Sequence, residues 1–358
     1  MAKFHSLPVV NKKQETPDAI SISFGVPDHL KMDYAYQAGQ YLTLRMQIDG
    51  EEVRRAYSLC SSPLEDEVLT VAVKKVDGGK MSTWLNERLQ IGLSIDVMVP
   101  EGRFVPSLDA QKSQHYLLIA GGSGITPMMS ILRTVLKAEP QSRVTLVYAN
   151  RDPESIIFKS QLDALQQQYV NRLKAHYWVD DTKGMTWSGG LGRLDAGTVK
   201  NIFTETIQEN WHEAKIFLCG PAPMMEGVVQ GLGLLGVAAD KITIEYFSVP
   251  VASAKVPEKE SVQLPAKGSK VFVTLYGKEY ELLIEDKTTI LQAGVKAGID
   301  PPFSCEAGIC STCMARVLEG AASMDENNIL SKEEVAQGYI LTCQAHPTTP
   351  IVRLEYYD

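Results

Sequence analysis

Hydrophobic and polar residues change their spacing near residue 110 of the 358-residue chain. Before that point, short alternating or β-branched runs are separated by turn residues such as Asp49-Gly50, which predicts antiparallel strands. The runs are AISISFGV, QYLTLRMQI, EVRRAYSL, VLTVAVKKV and SIDVMV, and one predicted helix, STWLNERL, interrupts them. This spacing predicts a small antiparallel β-barrel.

From residue 110 onward, strand-like runs alternate with helical runs. HYLLIAGG precedes TPMMSILRTVLKAE, RVTLVYAN precedes IIFKSQLDALQQQY, and LKAHYWVD, KIFLCGP, MMEGVVQGLGLL and KITIEYF follow. Alternating β and α segments predict an α/β domain with a parallel sheet that is covered on both faces.

The C-terminal part of the chain follows a proline-containing segment. SVPVASAKVPEKESVQLPAKGS has no sustained period and is interpreted as a linker. After it, KVFVTLYGKEYELLIED predicts a hairpin around Tyr276-Gly277, TTILQAGVKAG a short helix, and IVRLEYY a final strand. The expected organisation is a multidomain chain with a barrel at 1–108, an α/β domain at 109–247, a linker at 248–269 and a small domain at 270–358.

Composition and charge narrow the class of protein. With 44% hydrophobic and 22% charged residues, no apolar run near the ~18 residues of a membrane span and no signal-peptide pattern, the sequence predicts a cytoplasmic protein with reduced thiols. Residues 268–358 contain seven Lys/Arg and 13 Asp/Glu, so they hold a net charge of −6 out of the chain's −8. This acidity argues against a nucleic-acid partner and suits a partner with a basic patch, with solubility as the alternative.

Four cysteines near the C-terminus have the spacing C-x4-C-x2-C-x29-C. Structural zinc sites usually combine two C-x2-C pairs, and only one such pair is present here. A close triple with a distant fourth cysteine is the plant-type arrangement around a [2Fe–2S] cluster, in which each iron needs two thiolates. The spacing therefore predicts a [2Fe–2S] centre, with zinc and disulfides as alternatives. Its ligands would be Cys305, Cys310, Cys313 and Cys343.

Two motifs in the predicted barrel suit a flavin. RAYS, residues 55–58, places an Arg and a Tyr at the end of a strand. GGKMSTWL, residues 78–85, opens a helix with Gly79, Ser82 and Thr83, and a helix N-terminus is a site for anions. A barrel with these features is suited to hold a flavin and its phosphates. A capped helix beside a surface Arg is the alternative.

Two motifs in the predicted α/β domain suit a nucleotide. GGSGITPMMS, residues 121–130, joins a strand to a helix, with Thr126 as the predicted N-cap. Its backbone N–H groups would face the carboxyl edge of the sheet, where a pyrophosphate fits, and a purely structural turn is the alternative. CGP, residues 219–221, follows a later strand, although a lone cysteine is more often buried packing. Cys60 is interpreted as such a packing residue.

Together these residues resemble one family. RAYS, GGKMS, GRF (102–104), GGSGITPM, CGP and EYF (245–247) resemble the ferredoxin–NADP⁺ reductase-like flavoproteins, and the C-terminal domain resembles a fused β-grasp, plant-type ferredoxin. The order of domains is that of the phthalate dioxygenase reductase type. IDGEEVRRAYSLCSSP, AVKKVDGGKMSTW and GYILTCQ are especially similar to reductase subunits of phenylacetyl-CoA epoxidase complexes. The resemblance therefore implies a flavin and iron–sulfur reductase that acts in phenylacetate catabolism.

The resemblance implies a role for each matching position. Arg55 would bind the flavin phosphate, Tyr57 would pack on the flavin ring, and Ser58 would contact its N5 atom. Gly79, Met81 and Ser82 would form a turn around the pyrophosphate, and Glu245 and Phe247 would close the flavin site. The dinucleotide would be held by Gly122, Gly124 and Thr126, with its nicotinamide ring near Cys219, Gly220 and Pro221. The residues closest to the chemistry would be Tyr57, Ser58 and Cys219, and the four cysteines would ligate the cluster.

These roles imply electron transfer from NADPH through FAD and the [2Fe–2S] cluster to a partner oxygenase, with a di-iron enzyme expected. NADPH is favoured because Arg151 and Lys159 in NRDPESIIFK are placed to meet a 2′-phosphate, and NADH stays open. The preference for FAD over FMN rests on the resemblance. A desaturase, a ring-hydroxylating dioxygenase or a hybrid-cluster protein is the alternative acceptor. A non-enzymatic iron–sulfur or zinc-binding regulator is the alternative class. One departure is Glu306, where many plant-type ferredoxins have an Arg.

Overall fold

The computed structural model describes residues 3–207, 211–247, 268–285 and 287–356. The chain divides into two compact units, of which one is formed by His5–Val53 and Tyr57–Phe247 and the other includes the residues after 268. The predicted linker at 248–269 lies outside the described residues up to position 267. Ser269 is already the first residue of a strand.

The N-terminal sheet has six strands in the order β4-β3-β6-β1-β2-β5. The pairs β1/β2, β2/β5 and β3/β6 are antiparallel, and a bridge between Leu59 and Val71 joins the two ends of the order, so the sheet curls into the predicted barrel. Met81 and Leu85 of helix α1 fill its core. The elements are β1 (Phe4–Thr16), β2 (Ala19–Phe24), β3 (Tyr41–Ile48), β4 (Glu51–Ser58), β5 (Leu69–Lys74), α1 (Lys80–Arg88) and β6 (Ser94–Met98).

The second sheet is parallel and has the order β10-β9-β8-β7-β11-β12. Apolar clusters cover both faces: side chains of α2 and α3 pack on one, and those of α4 and α5 on the other. The strand order reverses between β7 and β11, which is where such sheets bind ligands. The strands are β7 (His115–Gly121), β8 (Arg143–Asn150), β9 (Leu173–Val179), β10 (Gly190–Leu191), β11 (Lys215–Gly220) and β12 (Ile242–Tyr246). The helices are α2 (Ile125–Ala138), α3 (Lys159–Gln168), α4 (Ala196–Asn201) and α5 (Ala222–Leu234).

The C-terminal unit has a five-stranded mixed sheet in the order β14-β13-β19-β15-β17, with β16 and β18 forming a small second sheet. Its first and last strands, β13 and β19, are parallel neighbours, and α6 packs Ile290 into the same core. The predicted hairpin is present, with Tyr276 and Gly277 at positive φ. The elements are β13 (Ser269–Leu275), β14 (Lys278–Ile284), α6 (Ile290–Lys296), β15 (Met314–Glu319), β16 (Ala322–Met324), α7 (Lys332–Ala336), β17 (Tyr339–Leu341), β18 (Ala345–Pro347) and β19 (Ile351–Tyr356).

No described helix is both long and apolar enough to cross a bilayer.

Candidate cofactor sites

Three of the predicted site residues come together at the edge between the barrel and the parallel sheet. Ser58 ends β4, and its hydroxyl donates a hydrogen bond of 3.1 Å to Glu245 Oε2. Glu245 on β12 is in register with Cys219 on β11, so the two side chains are neighbours across the parallel pair. All three residues are buried, with exposures of 4%, 9% and 0% for Ser58, Glu245 and Cys219. The fold therefore assembles a polar group from positions that are far apart in sequence.

Burial sets the protonation of this group. It raises the pKa of Glu245 to about 8, and the hydrogen bond from Ser58 opposes that rise because it favours the carboxylate. Burial also raises the pKa of the Cys219 thiol well above its ordinary value, and the nearby Glu245 charge acts in the same direction. At neutral pH the site thus holds a mostly protonated carboxyl beside a neutral thiol.

The glycine-rich loop directly follows β7 and lies at the switch point of the parallel sheet. Gly124 approaches β11 so closely that a Cβ there would lie 2.1 Å from the Cys219 carbonyl oxygen, whereas Gly122 has a φ of +52° and a Cβ there would lie 3.9 Å from Lys74 Nζ. Thr126 was predicted to be the N-cap, and this is wrong. The helix begins at Ile125 with Gly124 as its cap, and Thr126 Oγ1 donates instead to the Ser123 carbonyl oxygen at 3.0 Å. The short 3₁₀ turn at 122–124 continues directly into α2, so the helix starts earlier in the chain than predicted.

The predicted nucleotide positions Gly220 and Pro221 lie at the end of β11, and the predicted flavin residue Phe247 lies at the end of β12. Gly220 has no room for a side chain, because a Cβ would lie 2.7 Å from Met224 Cε and 3.0 Å from the Gly121 nitrogen. Pro221 then caps helix α5. Phe247, directly after β12, is 41% exposed. The close packing of Gly220 brings the end of β11 against the start of the glycine-rich loop.

The four C-terminal cysteines converge on one loop. The Sγ atoms of Cys305 and Cys310 are 3.1 Å apart, and the Cys343 thiol lies beside those of Cys305 and Cys313. Donation from the neighbouring thiols, chiefly that of Cys310, and from the backbone N–H groups of Ala307 and Ile309 lowers the pKa of Cys305 below its ordinary value. All four thiols are free, so the disulfide alternative is wrong.

Backbone geometry fixes the shape of this loop. Gly308 has a φ of +69°, and a Cβ there would lie 2.8 Å from the Glu326 carbonyl oxygen. The loop is tied to the turn that contains Cys343 because Gln344 Nε2 donates to the Glu306 carbonyl oxygen at 2.9 Å. On the other side, Tyr356 donates to Thr342 Oγ1 at 2.7 Å, and that hydroxyl donates to the Cys313 carbonyl oxygen at 3.0 Å. These contacts hold the distant fourth cysteine against the triple.

Glu306, the departure noted in the sequence, has an exposed side chain and a φ of +54°. Positive φ is uncommon for residues other than glycine, and here the hydrogen bond to its carbonyl oxygen keeps it in place. Its carboxylate is therefore presented to solvent beside the first ligand.

Comparisons with known proteins agree with this geometry. Three family models match in order along the chain: an oxidoreductase FAD-binding domain at 6–105, an oxidoreductase NAD-binding domain at 118–230 and a 2Fe-2S iron-sulfur cluster binding domain at 273–348. The chain is 38% identical to one of the subunits of the 1,2-phenylacetyl-CoA epoxidase of Escherichia coli K12, over 99% of this chain and 98% of the relative. It is 36% identical to the ferredoxin reductase component of 3-ketosteroid-9-alpha-monooxygenase from Rhodococcus rhodochrous, over 96% of this chain and 94% of that relative.

The chain belongs to this family of three-domain flavin and iron–sulfur reductase components. A solved structure, phthalate dioxygenase reductase, shares the fold over 99% of this chain and 98% of its own, with a TM-score of 0.58 and 23% identity. The reductase is thus an NAD(P)H oxidoreductase that carries FAD and a [2Fe–2S] cluster, as the sequence predicted. The zinc and regulator alternatives are not supported.

The residues of the reductase fit an FAD. Helix α1 starts at Lys80, and its first N–H groups have no acceptor within the helix, so they are suited to a pyrophosphate. Gly79 makes the tight entry to this turn, since a Cβ would lie 2.5 Å from both Ser82 Oγ and Val76 Cγ2. Met81 is 2% exposed, so it contributes its backbone and core packing, not a side chain at the surface. Ser82 Oγ accepts from the Val76 N–H at 3.2 Å and fixes the turn.

On β4 of the reductase, Arg55 is exposed and Tyr57 is half-buried against the barrel core. Arg55 Nη1 donates to the Arg54 carbonyl oxygen at 2.6 Å. The two side chains are two residues apart on one strand and therefore lie on the same face. They offer a cation and an aromatic ring side by side.

The predicted phosphate cation Arg151 follows β8 and pairs with Asp18 of the barrel, Nη2 to Oδ2 2.8 Å. The sequence analysis missed two further cations here. Lys74 Nζ lies 3.8 Å from the same Asp18 oxygen, and Lys183 Nζ lies 2.7 Å from Asp152 Oδ2. Lys74, Arg151 and Lys183 span more than 100 positions of the chain, so no local pattern connects them.

Lys159, the second predicted phosphate contact, has other partners. Its ammonium group pairs with Asp163 at 2.5 Å and lies 4.3 Å from the centre of the Tyr177 ring. These contacts are with its own helix and with β9. The cationic group formed by Lys74, Arg151 and Lys183 is therefore the better candidate for nucleotide phosphates.

Proposed function

We propose that this reductase oxidises NADPH and delivers electrons to a di-iron phenylacetyl-CoA epoxidase-type oxygenase. The observation that carries the choice of acceptor is the 38% identity to the Escherichia coli epoxidase component over 99% of this chain and 98% of that one. Free, clustered thiols are consistent with the reducing cytoplasm, where we place the reaction.

The proposed assignment of residues to FAD is supported by their positions on the barrel. When bound, FAD exchanges electron pairs with a nicotinamide and single electrons with an iron–sulfur cluster. Tyr57 offers a ring to pack on the flavin, Arg55 and the turn at Gly79, Met81 and Ser82 bind its phosphates, and Ser58 orients Glu245. Glu245 holds a proton at neutral pH in a buried site, and the exposed Phe247 would close the flavin site.

The residues that we assign to NADPH lie at the switch point of the parallel sheet and in the cationic group. Gly122, Gly124 and Thr126 form the pyrophosphate loop, and Cys219, Gly220 and Pro221 lie where the nicotinamide ring meets the sheet edge. Arg151, with Lys183 next to the same 150–155 turn, provides the cations that a 2′-phosphate requires. A nicotinamide without the 2′-phosphate would leave these cations to their acidic partners, which favours NADPH over NADH.

The proposed exit for electrons is the cluster held by Cys305, Cys310, Cys313 and Cys343. These ligands lie in the C-terminal domain, which we place at 270–358, after a flavin domain at 1–108, a nicotinamide domain at 109–247 and a linker at 248–269. Steady-state assays with two artificial acceptors test this exit. Ferricyanide is taken to accept electrons from the flavin, and cytochrome c to accept them from the cluster.

Cys310→Ser should abolish NADPH-dependent cytochrome c reduction and leave ferricyanide reduction intact. Cys60→Ser is the matched control, because Cys60 is also a buried thiol but lies in the barrel, where its Sγ is 3.3 Å from the Thr70 carbonyl oxygen. Cytochrome c reduction that survives in Cys310→Ser would show that the cluster is not the exit.

The acceptor is tested by reconstitution with purified oxygenase components. We expect NADPH-driven epoxidation of phenylacetyl-CoA with the epoxidase oxygenase. The 36% identity to the Rhodococcus component makes 3-ketosteroid-9-alpha-monooxygenase the second candidate. Faster product formation with that oxygenase than with the epoxidase would make 3-ketosteroid-9-alpha-monooxygenase the preferred acceptor.

A further inference from the structure

Asp18 lies in the turn between β1 and β2 and is firmly held there. Its Oδ1 accepts a hydrogen bond of 2.9 Å from Thr16 Oγ1, and its carbonyl oxygen accepts one of 2.7 Å from the Lys75 N–H. Ala19, the next residue, is in register with Lys74 on β5. The backbone therefore brings this carboxylate to Lys74 before any ligand is present.

The other oxygen of Asp18 is shared between two cations. Oδ2 lies 2.8 Å from Arg151 Nη2 and 3.8 Å from Lys74 Nζ. The Lys74 ammonium group is also 3.9 Å from the position that a Cβ on Gly122 would take, so it lies beside the glycine-rich loop. One carboxylate oxygen thus faces both cations at the mouth of the proposed nucleotide site, and its single negative charge offsets one of their two positive charges.

The electrostatics of Lys74 show what the carboxylate does. Burial lowers the pKa of Lys74, the charge of Asp18 opposes that change, and Arg151 adds to it because it is a like charge. Two cations that repel one another at a half-buried position need an anion between them. A phosphate group could fill that place as well as a carboxylate does.

We propose that Asp18 competes with the phosphates of the dinucleotide for Lys74 and Arg151, and so weakens nucleotide binding and sets how strongly the 2′-phosphate is selected. The inference rests on the proposed function, because it places NADPH at this loop. When the nucleotide binds, its phosphates take over the two cations and Asp18 is left with Thr16. A weaker complex would let the oxidised nucleotide leave sooner.

Asp18→Asn tests this idea with little change of shape. The amide keeps an oxygen for Thr16 and removes the negative charge. The matched control is Asp96→Asn, because Asp96 on β6 also pairs with an Arg of the barrel, Arg45 Nη2 to Oδ2 3.0 Å, and its loss changes the net charge equally. Affinities of the FAD-loaded protein for NADP⁺ and NAD⁺ are measured by calorimetry at low ionic strength, where surface charges are least screened.

We expect Asp18→Asn to bind NADP⁺ about three- to tenfold more tightly than wild type, with a smaller gain for NAD⁺ and with no gain in Asp96→Asn. In steady state, KM for NADPH should fall by a similar factor, while kcat stays equal or falls as release slows. Unchanged or weaker NADP⁺ binding in Asp18→Asn, or an equal gain in both variants, would overturn the proposal. If Asp18→Asn does not fold, Asp18→Ser gives the same comparison.

The result separates this inference from the proposed function. If wild type itself binds neither NADP⁺ nor NAD⁺, the nucleotide site is wrong and the inference falls with it. If wild type binds NADP⁺ and Asp18→Asn does not improve that binding, the nucleotide site stands and only the role of Asp18 fails.

Discussion

Replacing Glu245 by Gln should remove a pH dependence of stability that the fold creates. In the folded protein burial raises the pKa of this carboxyl to about 8, against an ordinary value of 4.5. Between these two values the folded state holds a proton that the unfolded state has released. The unfolding free energy therefore falls as pH rises, and this contribution is complete below pH 4.5 and lost above pH 8.

For one group with these two pKa values, the contribution falls by about 3 kcal/mol between about pH 5 and about pH 8. Denaturant unfolding at both pH values, followed by tryptophan fluorescence, measures the loss, since all four tryptophans lie in the unit that contains Glu245. Glu245→Gln should flatten the pH dependence by about that amount. Glu226→Gln, which removes an exposed carboxylate of α5, should leave it unchanged. An equal pH dependence in wild type and Glu245→Gln would refute the raised pKa.

Two further substitutions test the cluster loop. Gly308→Ala should abolish cluster assembly, measured as iron content and visible absorbance, because the new Cβ would meet the Glu326 carbonyl oxygen at 2.8 Å. The control is Gly277→Ala, which has a similar φ of +71° but open space around it and should assemble the cluster normally. Equal loss of the cluster in both variants would show that backbone strain, not the contact with Glu326, is the cause. Tyr356→Phe should lower the stability of the C-terminal unit by about 1 kcal/mol through loss of its 2.7 Å hydrogen bond, measured by thermal loss of cluster absorbance, and an unchanged midpoint would contradict this role.

Elements with regular alternation were predictable from the sequence, and irregular ones were not. The long β1 was missed because Pro8 and two register shifts against β2 break its alternation. The two-residue strand β10, the six-residue helix α4 and most elements between the cysteine loop and β19 were missed because they are only a few residues long. Their structure is set by the sheets on which they pack, not by a periodic pattern of their own.

The site residues likewise divide into those that a local sequence pattern predicts and those that it does not. RAYS, the glycine-rich loop, CGP and the cysteine spacing are local patterns, and their positions in the fold follow from the strands that precede them. The hydrogen bond from Ser58 to Glu245 and the sharing of Asp18 by Lys74 and Arg151 join residues more than 50 positions apart. Such contacts depend on how the barrel meets the parallel sheet. No spacing rule in one sequence contains them.

In the proposed function, electrons from NADPH reach the cluster only through the flavin. Anaerobic mixing of NADPH with FAD-loaded and FAD-stripped protein tests this route, with the oxidation state of the cluster followed by electron paramagnetic resonance. We expect the reduced-cluster signal to follow flavin bleaching in the loaded protein and to be absent in the stripped protein. A cluster that stays oxidised in the loaded protein, or is reduced equally fast without FAD, would contradict it.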